Sequence, residues 1–461
     1  NTDPTFTVPP TDTVCRNLDC SYNIDPSITG DVVNEWDNCA VGIQAFVHID
    51  DNTNLTSCDT AGYIIRTWRL DDGSGNIVDQ DQIIWVEPVP TVIPIVQDTI
   101  LCDSTYTNVR LSSPNVFTYG SLTFDYTVAS TGGVTGYTTP VTGLPLDHMI
   151  TDQLVNPTNE VQTVTYMITP VSPTGCGNGH SEQVVITVNP TPRLTVDIAE
   201  TVYCDSSTVE FTVTDGLVSA TGERVYRVYR DYDPLNVHIE GENPGFDGDQ
   251  SYSVTLSDEI RNLTSQVQTV TYTFQALIRD PRGNDPGYYC DQGEDTTIVL
   301  TINPTPRLTV DVAETVYCDS STVDFVVTDG LTGSMGANVY RLTRIYDESR
   351  VKVEGEVPGV VDNMPYGILS EEVVNLTGEE QFITYIFKPV IKDPRGDGSI
   401  PECNEGGDTT IVIIVNPTPW LTVDVPETVY CDSSTVEFTV TDGLESATGE
   451  RVYQVYRDYD P

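Results

Sequence analysis

The chain has 461 residues, with 69 acidic side chains against 21 basic ones and a formal net charge of -48. So few Lys and Arg exclude a general nucleic-acid ligand, whose phosphates would need neutralising, and an anionic membrane surface would repel the chain. No apolar run approaches the roughly 18 residues of a spanning helix, so membrane insertion is not expected. The acidic surface reads as a solvated, self-repelling coat that keeps a long protein soluble and extended.

Residues 1–91 follow a plan of their own, with Cys15, Cys20, Cys39 and Cys58 and the segment Tyr-Ile-Ile-Arg-Thr-Trp-Arg-Leu-Asp-Asp-Gly-Ser-Gly-Asn. Four cysteines allow three connectivities; Cys15 with Cys20 and Cys39 with Cys58 is the favoured one. Asp71 and Asp72, with Asp79 and Asp81, form the first acidic cluster that could attract calcium.

From residue 92 onward the chain repeats itself. Asn-Pro-Thr-Pro begins at Asn189, Asn303 and Asn416, each time after an alternating strand and before Leu-Thr-Val-Asp and Thr-Val-Tyr-Cys-Asp-Ser-Ser-Thr-Val. The modules are 92–189, 190–303 and 304–416, and residues 417–461 begin a further copy. That last stretch matches 190–234 at all but five positions. It ends in mid-module, so the chain is expected to be a segment of a longer protein.

A period of 113 to 114 residues is too long for a solenoid unit and fits a self-contained domain. Within a module the pattern has period two: Val209, Phe211 and Val213 alternate with polar residues, as do Val270, Tyr272, Phe274 and Ala276. Turn signals such as Asp-Pro-Arg-Gly separate the runs. Short alternating strands at this density predict an all-β chain of tandem immunoglobulin-like β-sandwich domains. Two prolines in three residues make each Asn-Pro-Thr-Pro a short, stiff, extended joint, which predicts an elongated rod.

Each complete module carries one early and one late cysteine, which suggests the bridges Cys102 with Cys176, Cys204 with Cys290, and Cys318 with Cys403. Cys431 takes the early place in the partial copy, and its partner is expected beyond residue 461. Such bridges would close loops of 74 to 86 residues, contribute roughly 4 to 5 kcal/mol each by loop-closure entropy, and persist only outside a reducing cytosol. Zinc is not expected, because no Cys-x-x-Cys pair occurs. Asp231 with Asp233 and Asp247 with Asp249 complete the calcium candidates. None has the spacing of a calcium loop with its glycine bend and terminal Glu, so turns are the favoured reading and no cofactor is assigned.

Two family resemblances rest on particular residues. Trp36-Asp37-Asn38-Cys39, Arg66-Thr67-Trp68, Gly75-Asn76 and Gln82-Ile83-Ile84 resemble the HYR-like immunoglobulin-fold domains of Bacteroidota surface proteins. In those a cysteine commonly precedes the Gly-Asn turn, where this chain has Ser74. Val164-Thr165-Tyr166-Met167-Ile168-Thr169-Pro170, Gly175-Cys176-Gly177 and Val185-Ile186-Thr187-Val188-Asn189-Pro190-Thr191-Pro192 resemble PKD-like repeats of the same bacteria. Long proteins of this build resemble the giant gliding-motility adhesins exported by the type IX secretion system. The resemblance implies an extracellular, cell-surface filament gripping a substratum or cell-surface glycans, with outer-membrane motility or secretion machinery engaged through regions outside this segment. It also implies O-glycans at Asp-Ser/Thr sites, here Thr13, Thr60, Thr99, Ser104, Thr296 and Thr409.

Asn54, Asn262 and Asn375 stand in Asn-Leu-Thr sequons, which matter only in a eukaryotic secretory route; the repetition of the last two favours a shared turn. His48, His148, His180 and His238 do not recur in register, and no catalytic motif accompanies them, so no catalytic residue is assigned. Tyr226, Tyr229 and Tyr232, with Tyr453, Tyr456 and Tyr459 in the partial copy, read as cross-strand packing or as an adhesive stripe. On a strand Tyr229 should point away from the other two. The two functions in view are an adhesive filament segment and a non-catalytic carbohydrate-binding or spacer region of a secreted enzyme.

If the joints make a rod, small-angle scattering on residues 1–416 should give a maximum dimension well above roughly 100 Å, at about 3.3 Å per strand residue. A compact globule would end that reading.

Overall fold

Alternation of apolar and polar residues dictates nearly everything in the computed structural model, which describes residues 2–398 and 402–459. Contacts divide the chain into two compact units. One comprises residues 1–195 with 215–226 and 275–294; the other comprises 196–214, 227–274 and 295–461. The fold is all-β, as the sequence pattern requires, with one short helix among the described residues, Pro26–Thr29, capped by Asp25.

In the first unit, Gly62–Asp71 buries every second residue, and its partners Ile77–Glu87 and Phe46–Asp51 run antiparallel to it. Asp12–Cys15 adds on the far side of Ile77–Glu87 and runs parallel to it. Trp68, Leu70, Ile64 and Ile84 form the inner face. Arg66 is also buried there, bonded twice to Asp50 and once each to Thr29 and the Ile24 carbonyl, so its charge and donors are satisfied.

Residues 92–189 form a two-sheet sandwich. Ile93–Val96, Val109–Ser112 and Met149–Ile150 make one sheet. The other runs Val141–Pro145, Thr123–Ser130, Gln162–Val171, Glu182–Val188, and then Ile100–Leu101 in parallel. Val109 and Leu111 from the first sheet meet Phe124, Tyr166 and Ile186 from the second in one core.

The second unit contains the same plan in residues 304–416. Leu308–Val312, Ser321–Asp329, Gly367–Asn375 and Val351–Val353 face a sheet of Val316–Tyr317, Thr409–Val415, Gln381–Lys392, Ala337–Ile345 and Gly359–Met364. Phe325, Leu342, Tyr385, Phe387 and Ile413 fill the space between. Corresponding pairings recur at 196–302, where Val202–Tyr203 lies parallel to Thr296–Ile302 and Ser207–Asp215 pairs with Leu256–Asn262.

Two cores contain a buried ion pair completed by a tyrosine. Arg344 and Glu371 are 2 % and 5 % exposed, joined at 2.8 Å through Nε, and the Tyr385 hydroxyl donates to the same carboxylate at 2.8 Å. Burial works against the Arg344 charge, but Glu371 outweighs it and holds the guanidinium protonated. Burial, then Glu371, pushes the Tyr385 hydroxyl well above its ordinary range. Arg230, Asp258 and Tyr272 make the same constellation, with Asp247 as a further partner. Asp152 and Tyr166 occupy the corresponding place in 92–189, where the Tyr166 hydroxyl donates to the carboxylate.

Glu371→Ala should therefore cost about 3–5 kcal/mol by stranding Arg344, and Tyr385→Phe about 1.5–3 kcal/mol through a lost bond to a charged acceptor. Native-state hydrogen exchange of the Gln381–Lys392 amides in the full chain would show both losses, the first larger.

Candidate functional site

The repeated structure with most chemistry in it is the joint at each Asn-Pro-Thr-Pro. Its geometry begins with the short strand before each early cysteine. Ile100–Leu101 runs parallel to the last strand of its module, pairing with Thr187 and Val188, so Cys102 emerges at the end where the chain leaves. The Asn189 amide donates to the Leu101 carbonyl there; Asn303 and Asn416 bond Tyr203 and Tyr317 in the same way.

The residue after each early cysteine fastens this end. Asp103 accepts the Asn156 amide at 2.6 Å with one oxygen and the Thr191 hydroxyl at 2.5 Å with the other. Asp205 does so for Asn262 and Thr305, and Asp319 for Asn375 and Thr418. The serine that follows takes a left-handed conformation, with φ of 58° at Ser104, 57° at Ser206 and 60° at Ser320, closing the turn. Asn156, Asn262 and Asn375 are buried, and each side-chain NH2 donates to two carbonyls, one of them on the last strand. The repeated sequon is therefore a structural hub, as its repetition suggested.

On its other side the joint grips the following module. Asn189 is fully buried; it accepts the Thr221 amide at 2.8 Å and donates to the Thr221 hydroxyl at 2.5 Å. Asn303 accepts the Met335 amide at 2.7 Å, but with no hydroxyl at 335 its side-chain NH2 is buried without a partner. Gly293 packs so closely on the joint that a Cβ there would stand 2.1 Å from the Pro192 carbonyl oxygen; Gly179 meets Pro90 and Gly406 meets Pro306 in the same manner. The Asp-Pro-Arg-Gly loops also reach back across it. Arg282 pairs with Asp98 at 3.1 Å and lies over the Tyr288 ring, and Arg395 pairs with Glu200.

The disulfides follow the same plan and overturn the expected pairing. Cys102 bridges to Cys290 and Cys204 to Cys403, so an early cysteine joins the late cysteine of the next module, not its own. Cys15 bridges to Cys176, and Cys20 to Cys58. Cys39, Cys318 and Cys431 are exposed thiols. The reason is distance along the sandwich. Cys318 follows Tyr317, which pairs with Val415 opposite Gln381, whereas Cys403 pairs with Ile391 at the far end of that strand. Ten strand residues put the two roughly 30 Å apart, and a bridge tolerates at most about 7 Å between Cα atoms. Cys15 ends its parallel strand opposite Glu87, and its sulfur is taken by Cys176 while that of Cys20 is taken by Cys58. Cys39 instead sits in a turn whose amide is capped by Asp37.

The acidic clusters are occupied by local structure. Asp71 and Asp72 accept amides of the Gly73–Asn76 turn, Asp79 pairs with Arg69 and Asp81 accepts from Thr67. Asp233 caps Leu235, Asp247 and Asp249 pair with Arg230 and Arg227, and Asp231 is exposed. Among the described residues no three His, Cys, Asp or Glu side chains are placed to share a metal ion. Thr13 and Thr99 are exposed, and Thr60, Ser104, Thr296 and Thr409 half-buried. Tyr226 and Tyr232 point inward and Tyr229 outward, where it packs on the exposed Phe246 at 4.9 Å. His238 meets Glu240 at the surface.

Residues 99–192 match the family model of the PKD-like domain. No curated protein matches the chain. Similar solved structures include the human desmocollin-1 ectodomain, at 11% identity and TM-score 0.25 over 83% of this chain and 73% of that one. The protocadherin gamma B4 extracellular domain is similar at 9% identity and TM-score 0.29, over 95% and 74%. Chicken CNTN1 FN1-FN3 follows at 11% identity and TM-score 0.20, over 70% and 97%. The matched family and the four disulfides make this an extracellular-type region built on a fold typical of structural, non-catalytic domains.

Met335→Thr should supply the acceptor that Asn303 lacks and raise stability by about 0.5–1.5 kcal/mol, read as slower exchange of the Met335-loop and Asn303 amides. The reverse change at the intact joint, Thr221→Met, should lower protection around Asn189 by a similar amount.

Proposed function

We propose that the chain is a structural and adhesive segment of a long bacterial surface filament. The observation that carries this reading is the joint: at Asn189 and at Asn303 alike, hydrogen bonds, an ion pair and a disulfide fasten one repeat to the next. A flexible string of binding modules needs none of that. A filament that must hold its far end away from the cell needs it at every joint. Attachment to a substratum or to surface glycans then draws on copy number, as multivalent contacts do, and gliding motility would come from envelope machinery engaged by other parts of the protein.

Antibody raised against the chain should label intact producing cells, and its monovalent fragment should lower their attachment to glass. Labelling only after permeabilisation would overturn the reading. One observation favours a second reading, carbohydrate binding: the outward pair Tyr229 and Phe246, the latter 64 % exposed. Thr343 and Val360 are paired at the corresponding place in 304–416, so the pair does not recur there. Glycan-array binding abolished by Phe246→Ala would establish this second reading.

A further inference from the structure

We infer that the disulfides route tension around the sandwiches. The late cysteine of each module and the early cysteine of the next are separated by the same 28 residues at all three joints: Cys176 to Cys204, Cys290 to Cys318 and Cys403 to Cys431. Early-to-late spacing within a module is not constant. Each such connector consists of a last strand, an Asn-Pro-Thr-Pro joint and the first strands of the following module. The bridges splice alternate connectors into continuous covalent lines. One line runs from Cys15 across to Cys176, along the connector to Cys204, and across to Cys403. The other crosses from Cys102 to Cys290 and follows its connector to Cys318.

Within a module the two lines lie side by side. Val202–Tyr203, ending the first connector, runs parallel to Thr296–Ile302 of the second, and Val316–Tyr317 runs parallel to Thr409–Val415. Each of these parallel neighbours is tied backward at its N-terminal side and forward at its C-terminal side by its own line, so tension passes along the strands and does not shear their mutual hydrogen bonds. The strands that close the core, such as Ser321–Asp329 and Gly367–Asn375, lie outside the line of pull. The inference adds force transmission to the structural role proposed above and does not depend on what the filament grips.

Single-molecule stretching of the full chain, held at its two ends, tests it. With bridges intact only about 100 residues separate the handles along the shortest covalent path, so extension should stop on the order of 350 Å; after reduction by a phosphine it should reach on the order of 1,600 Å. The variant Cys204→Ser with Cys403→Ser should stop at roughly 800 Å under oxidising conditions, because the shortest path left runs through Cys20–Cys58 and Cys102–Cys290. The variant Cys102→Ser with Cys290→Ser should still stop at the native limit, because its bridge lies on the other line. An oxidised native chain that extends past roughly 600 Å, or a Cys102/Cys290 variant that lengthens, would overturn the routing. Surface labelling and attachment of cells are read separately, so failure here is distinguishable from failure of the filament reading.

Discussion

The two-residue parallel pairing of Ile100–Leu101 with Thr187–Val188, repeated at Val202–Tyr203 and Val316–Tyr317, is the constraint on which the rest depends. It carries a residue from the start of each module to the pole where the module ends. Everything placed just after that strand is thereby delivered to the outgoing joint: the early cysteine, the aspartate that accepts the joint threonine, and the serine with positive φ. An antiparallel first strand would have delivered the same residues to the opposite pole. The bridges would then close within modules and the joints would be held only by hydrogen bonds and ion pairs.

The joint itself is fastened by more than proline. Proline restricts the backbone of Asn-Pro-Thr-Pro, but the restriction matters because both flanking groups are anchored. The buried asparagine reaches forward to the following module and the threonine reaches back to the preceding one. Gly293 and its equivalents remove the side chain that would otherwise hold the next loop off the Pro192 carbonyl. The buried Arg–carboxylate–Tyr constellations serve a different end. They sit inside the sandwiches, where a desolvated guanidinium accepts only one arrangement of partners and so specifies strand register more than it adds stability.

Much of this was legible in the sequence. Alternation in Ser207–Asp215 announces a half-buried strand, and its buried set, Val209, Phe211 and Val213, follows it position by position. The modular period is visible without any structure. The cysteine pairing was not legible from early and late placement, because a two-residue strand carries no periodicity from which a parallel partner can be read. One sequence signal did point to it: the interval from late cysteine to the next early cysteine is constant, whereas the interval within modules drifts. A constant length marks a connector under geometric control. Asp103 and Asn156 were hidden for another reason. Both are ordinary turn formers, and only the meeting of sequence-distant segments shows that they fasten a pole.

Bridges that skip forward by one module also order events during synthesis. When a module has just been made, its early cysteine has no legitimate partner, because that partner belongs to a module still to come. The nearest available thiol is the wrong one, in the same module. Correct pairing therefore requires that each sandwich fold before it is oxidised, so that its own two cysteines are already held at opposite poles. The fold protects the chain from its own nearest-neighbour chemistry, and the growing end of the protein always carries a thiol in waiting.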